Sequence, residues 1–339
     1  MRQYQLPRTT GIDDLTLIET DEPTSLQRGQ VKVRMHAASL NYRDLMIIKG
    51  SYARATIRPG LVPLSDGAGE VVAVGPDVTR FKVGDRVAGI FHQNWISGTV
   101  SDAIVGSSLG GDIDGVLSEY RIFEADGLVH LPDHLSYEEG ATLPCAALTA
   151  WNALFAGPRP VQPGDTVLTL GTGGVSVFAT QFAHAAGARV IVTSSSDEKL
   201  ERVRAFGASD GINYHRTPDW NDQVLKLTHG KGVDHVIELG GAGTVARSLR
   251  AVRRGGQINI IGVLTRGEGI DPTFLIGKSI TMRGIFVGSR EMFEDMNRAI
   301  TVNKLHPVID RVFSFEEAAA AYRYLESGAH LGKVVIRIA

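Results

Sequence analysis

The sequence predicts an α/β protein with a doubly wound parallel sheet in the middle of the chain and a mainly β domain assembled from its two ends. Three observations carry that prediction. From about Gly164, apolar runs of four to six residues alternate with helix-length amphipathic stretches, the pattern of strands buried on both faces and covered by helices. Before residue 130, short β-type segments are separated by turns such as Val83-Gly84-Asp85-Arg86 and Val74-Gly75-Pro76-Asp77. The length of 339 residues, at roughly 150 residues per domain, accommodates two cores.

Taken in order, strands are expected over 31–36, 69–74, 86–90 and 118–123, and the Gly-, Ser- and Asp-rich stretch 94–115 is expected to be a long surface loop or lobe. The parallel sheet is expected from strands 166–170, 189–194, 211–214, 235–239, 257–262 and 279–286. Its helices are expected over 175–186, 197–206, 219–228 and 244–252, with Asp197 and Thr244 as N-caps and Gly187 and Gly207 as C-caps. Beyond residue 290, a helix (291–302), a strand (308–313), a helix (316–327) and a last strand (333–338) return to the first domain. The expected domains are therefore 1–130 with 290–339, and 131–289.

Composition narrows the function. Thirty-five Lys and Arg against 37 Asp and Glu leave a net charge of −2, so no global positive field exists to hold nucleic acid or an anionic membrane surface. Hydrophobic residues at 43% with 21% charged are the balance of a folded globular chain. The lone cysteine, Cys145, excludes an intrachain disulfide and a thiolate-rich structural zinc site. The first residues lack the apolar core of a signal peptide, and no uncharged apolar run approaches the roughly 18 residues of a membrane span; a cytoplasmic protein is expected.

The chemistry concentrates around a glycine turn. Residues 166–170 read as a buried strand, Gly171-Thr172-Gly173-Gly174 as a tight turn, and Val175 onward as a helix. Glycines there let backbone approach a pyrophosphate, and the helix N-terminus supplies unpaired donors. Ser176 stands where the last glycine of the dinucleotide pattern belongs. The second strand ends in Ser194 and Ser195, where an NAD enzyme carries an acid for the adenosine ribose. With no acid there, and with Lys199 on the next helix and Tyr214 ending the third strand, NADPH is the expected cofactor. Gly240, Gly262, Val263, Phe286 and Val287 fall at or just beyond strand ends, the edge where such sheets hold ligands.

Five segments then occur in one order: Ala37-Ala38-Ser39-Leu40-Asn41-Tyr42-Arg43-Asp44, Asp66 to Gly75, Leu143 to Trp151, the glycine turn, and Gly332-Lys333-Val334-Val335. In this the sequence resembles the medium-chain dehydrogenase/reductase superfamily, most closely its zinc-independent quinone and enone reductases. The resemblance implies a GroES-like catalytic domain, split between the chain ends, beside a Rossmann domain. It also implies that zinc-binding relatives place their catalytic ligands where this chain has Asn41, Asp66 and Cys145, a poor set for a borderline-soft ion; no metal is expected. Without a Lewis acid, activated acceptors are favoured, because quinones and α,β-unsaturated carbonyls delocalise incoming charge onto an oxygen that hydrogen-bond donors can stabilise.

The same resemblance sets Asn41 beside the nicotinamide and substrate, Thr149 against the nicotinamide and Lys333 near the cofactor. Tyr42 and Tyr52 are candidate proton donors or quinone-stacking groups, although relatives often carry another tyrosine where this chain has Met46. Asp66 is a candidate for orienting substrate, and Asp44 for a structural anion. A homodimer is expected from the apolar edge strand 279–286. Two rival readings stand beside this one: a metal-dependent alcohol dehydrogenase using Asp66 and Cys145, and a nucleotide-binding protein without turnover.

Overall fold

The computed structural model describes residues 1–52, 57–265, 270 and 272–339; part of the loop 51–61, expected to face substrate, lies outside them. The chain divides into two compact units, Met1–Leu148 with Gly288–Ala339, and Thr149–Val287. The first boundary therefore falls later than the expected residue 130. Residues 131–148 pack with the terminal unit for local reasons: Ser136 caps Tyr137–Gly140 through Glu139, Tyr137 stacks on His36 at 4.2 Å, and the Cys145 amide reaches Asp66.

The central unit carries a six-stranded parallel sheet. Its spatial order is Asp210–Asn213, Arg189–Ser194, Thr166–Leu170, Val233–Glu238, Val252–Ile260 and Thr281–Gly284, so the chain order reverses between the third and fourth, where doubly wound folds open a ligand crevice. Apolar residues such as Leu168, Ile191, Val236 and Ile258 fill the core beneath the helices. Helix Gly174–Ala185 follows strand Thr166–Leu170, Asp197–Arg204 follows Arg189–Ser194 and Ala242–Ala251 follows Val233–Glu238. Gly187 and Gly207 take positive φ after the helices they end.

The two expected N-caps move by one and three positions. Ser196, not Asp197, caps its helix by accepting the Lys199 amide, because the hydroxyl sits one residue earlier in extended backbone. Gly241, not Thr244, is the other cap residue; the Thr244 hydroxyl is drawn instead to the Glu238 carboxylate at 2.5 Å.

The terminal unit is built on a seven-stranded sheet. Strand Lys333–Arg337 runs between Ile309–Ser314 and Gln30–Ser39, which pairs onward with Asp66–Val74 and, separately, Tyr120–Glu124. The expected return of the last segments to the first domain is thus made by direct strand pairing. The stretch expected as a surface loop or lobe buries Trp95 and Leu109 and forms the short helix Asp102–Val105. No helix among the described residues is long and apolar enough to cross a membrane.

Candidate functional site

In the central unit, the glycine turn leaves room for a ligand. Gly171 has φ +79°, and a side chain at Gly173 would meet nothing within 4 Å. Helix Gly174–Ala185 has no side-chain cap, so its first amides, including those of Gly174 and Val175, keep their positive dipole end for an external anion. Thr172 is buried beside them. Ser176 replaces the expected glycine without blocking the turn, because its hydroxyl donates back to the Leu170 carbonyl at 2.7 Å. A pyrophosphate fits these features; they are backbone and open space.

At the adjacent strand ends, Ser194 is buried with its Oγ accepting the Ser196 amide at 3.3 Å, while Ser195 is exposed. Lys199 occupies the first turn of the following helix. Tyr214 is 38% exposed, so it lies outside the domain core and offers its ring to solvent. Thr149 is buried in helix Leu148–Phe155. A Cβ at Gly262 would lie 1.7 Å from the Leu239 carbonyl oxygen, so that close approach admits only glycine. Val263 is exposed, Phe286 is half-buried, and Val287 takes φ +50° with its carbonyl held by Asn152 Nδ2 at 2.7 Å.

Sequence reasoning missed Glu238. Its fully buried carboxylate accepts the Gly240 and Gly241 amides at 2.8 and 3.1 Å and the hydroxyls of Thr244 and Ser248, fixing the turn at the end of the fourth strand. The available signal was an acid two residues ahead of a glycine pair at a strand end.

In the terminal unit, polar side chains converge from four segments. Asp66, at the start of its strand, is fully buried; Oδ1 accepts the Ser65 hydroxyl at 2.7 Å and Oδ2 the Cys145 amide at 3.1 Å. Burial raises its pKa, and the Lys333 ammonium, 3.9 Å from Oδ2, is the largest opposing influence. Lys333 is also buried, and its Nζ donates to the Leu40 carbonyl at 2.7 Å and to Asn41 Oδ1 at 2.6 Å. Asn41 begins helix Tyr42–Ile48, and its backbone amide donates to Asp44 Oδ2 at 2.7 Å. Asp44 is the structural anion expected; burial pushes its pKa up to about 6 against the opposing Arg43 charge. Arg43 itself lies over the Tyr52 and Phe91 rings.

Of the two tyrosines, Tyr52 is half-buried near this cluster and Tyr42 is 52% exposed. Cys145 is half-buried within the π-helical turn Leu143–Ala147. Desolvation and the Asp66 carboxylate push its thiol pKa up. Among the described residues no group of three or more His, Cys, Asp or Glu is placed to hold a metal ion. An amide, one carboxylate and a thiol, with an ammonium already among them, do not fit zinc.

Two family models match the chain: the alcohol dehydrogenase GroES-like domain over residues 27–133 and zinc-binding dehydrogenase over residues 174–301. A zinc-type alcohol dehydrogenase-like protein of Schizosaccharomyces pombe is 49% identical over 336 residues, covering 97% of this chain and 96% of its own. Human quinone oxidoreductase is 29% identical over 316 residues, covering 91% and 88%. A solved structure of an NAD-dependent alcohol dehydrogenase superposes with a TM-score of 0.90 at 33% identity, covering all of both chains.

Proposed function

The chain belongs to the medium-chain dehydrogenase/reductase superfamily, whose members are oxidoreductases that bind a nicotinamide cofactor, and from that premise we propose a zinc-independent, NADPH-dependent reductase of quinones or α,β-unsaturated carbonyls. The observation that carries the reading is the Asn41–Lys333–Asp66 cluster. Where a metal would polarise a carbonyl, this chain has an amide held by a buried ammonium, which suits an acceptor that needs only hydrogen-bond donation as charge develops on oxygen. Bound NADPH supplies the hydride. Asn41 Nδ2 is the donor for the acceptor oxygen. The proton arrives from the Tyr52 hydroxyl or water, since Asp66 is buried with both oxygens engaged.

NADPH is favoured over NADH by Ser194, Ser195, Lys199 and Tyr214: a serine in place of an acid does not repel a 2′-phosphate, and a lysine on the next helix attracts one. Thr149, Gly240, Gly262, Val263, Phe286 and Val287 complete the proposed cofactor surface. The protein is proposed to be cytoplasmic and a homodimer pairing its edge strands Thr281–Gly284, close in sequence to the exposed apolar residues Phe274 and Ile276; a monodisperse monomer by light scattering overturns the dimer.

The test is the initial rate of NADPH oxidation, with a chelator present, against ortho-quinones, para-quinones and short enones. Turnover of any of them supports the reading. Silence throughout, followed by alcohol oxidation that appears only with added zinc, favours the second reading, a zinc-dependent alcohol dehydrogenase, which the names of several relatives suggest.

A further inference from the structure

The Lys333 ammonium is spent inside the terminal unit. An ammonium has three protons and no acceptor capacity; here two go to the Leu40 carbonyl and Asn41 Oδ1, and the third side faces Asp66 Oδ2 at 3.9 Å. Such a group has nothing left to offer a cofactor. Its effect on Asn41 is specific. Because the ammonium only donates, the amide atom against it must be the oxygen, so the orientation of Asn41 is settled by chemistry. Nδ2 is then turned the other way. It makes no hydrogen bond of ordinary length and angle, is fully shielded, and faces the Asp66 carboxylate, whose charge it helps to hold. A buried donor held by its own fold only through that loose contact keeps capacity for an acceptor oxygen brought beside it.

We propose that Lys333 is a positioning residue: its buried ammonium serves as the fixed cation of this cluster and locks the Asn41 amide so that Nδ2, and not Oδ1, meets the acceptor oxygen. The inference rests on the reductase reading for the identity of that oxygen. It reassigns Lys333 from the cofactor surface to the orientation of the donor, and it explains why Asp66 is kept: the anion holds the ammonium in a place that would otherwise expel a charge.

The experiment compares Lys333→Met, Asn41→Ala and the double variant in the full-length protein, with NADPH and either ortho-naphthoquinone or cyclohexenone. Lys333→Met is expected to lower kcat about 100-fold, the low end of the range seen when one oxyanion donor is lost, while the Kd for NADPH stays within about twofold. Asn41→Ala should give a similar loss, and the double variant no more than either alone. A tenfold weaker NADPH affinity with kcat preserved, or losses that multiply in the double variant, overturns the proposal. Where Lys333→Met does not fold, because Asp66 is left without its cation, the charge-matched Lys333→Met/Asp66→Asn background takes its place in the same cycle. If the wild-type protein turns over neither acceptor, the reductase reading fails by itself. The Lys333–Asn41 coupling is then read from Tm: non-additive shifts support the lock, and additive shifts overturn it.

Discussion

The glycine turn of the central unit and the Asn41–Lys333–Asp66 cluster of the terminal unit are opposite ways of building a site. The first is made of backbone and vacancy: Gly171 takes a left-handed conformation, Gly173 has open space, and the helix behind them has no side-chain cap. The second is made of buried side chains that have mostly satisfied one another. A backbone site keeps all its donors for the ligand and gains generality. A side-chain site spends most of its polar capacity on holding itself in place and keeps one donor, gaining direction.

Four variants test that contrast, starting with the largest effect. Gly262→Ala drives a Cβ into the Leu239 carbonyl and should cost about 4 kcal/mol or more of stability, read by chemical denaturation; a wild-type midpoint would show that the strand ends can separate. Glu238→Ala strands two backbone amides and the Ser248 hydroxyl and should cost about 3 kcal/mol, with NADPH affinity falling alongside. Gly173→Ala meets nothing, so stability should change by no more than about 1 kcal/mol, while NADPH binding weakens at least about tenfold because the methyl occupies the phosphate's approach. Equal losses in stability and binding would mean the turn is structural.

The smallest effect is in pH. His235 is fully buried near Asp165 and Arg159, and burial lowers its pKa from 6.5. With the folded value below the unfolded one, its contribution to stability is present above about pH 6.5 and lost as pH falls through the folded value. His235→Asn should flatten that part of the stability curve and leave NADPH affinity unchanged, since His235 precedes the ligand end of its strand. A shift in affinity between pH 6 and 8 (about one unit either side of 7) that vanishes in the variant would tie the two ends of the sheet together.

Much of the central unit was legible because parallel strands announce themselves as apolar runs and glycines as punctuation; the Gly171–Gly174 turn needed no tertiary information. Strand ends were less so: the expected strand 279–286 shrinks to Thr281–Gly284, and Ser279 takes the left-handed conformation that ends the preceding helix. The cluster was legible only by resemblance. Asn41, Asp66, Cys145 and Lys333 share no periodicity, and what joins them is antiparallel pairing of Gln30–Ser39 with strands from distant parts of the chain. Glu238 escaped for a related reason: a buried acid reads as an error in an apolar strand until its four donors are seen.

The discontinuity of the terminal unit also sets an order of events during synthesis. Asn41 and Asp66 emerge early, but the cation that orients them comes from residue 333, after the whole contiguous unit Thr149–Val287 has been made. At about 5–20 residues per second, that interval is roughly 15–50 seconds. In that time the central unit is free to fold on contacts among its own residues, while the terminal sheet lacks the strand Lys333–Arg337 that lies between two of its members. The nascent chain thus acquires the fold for a dinucleotide before it acquires a finished donor.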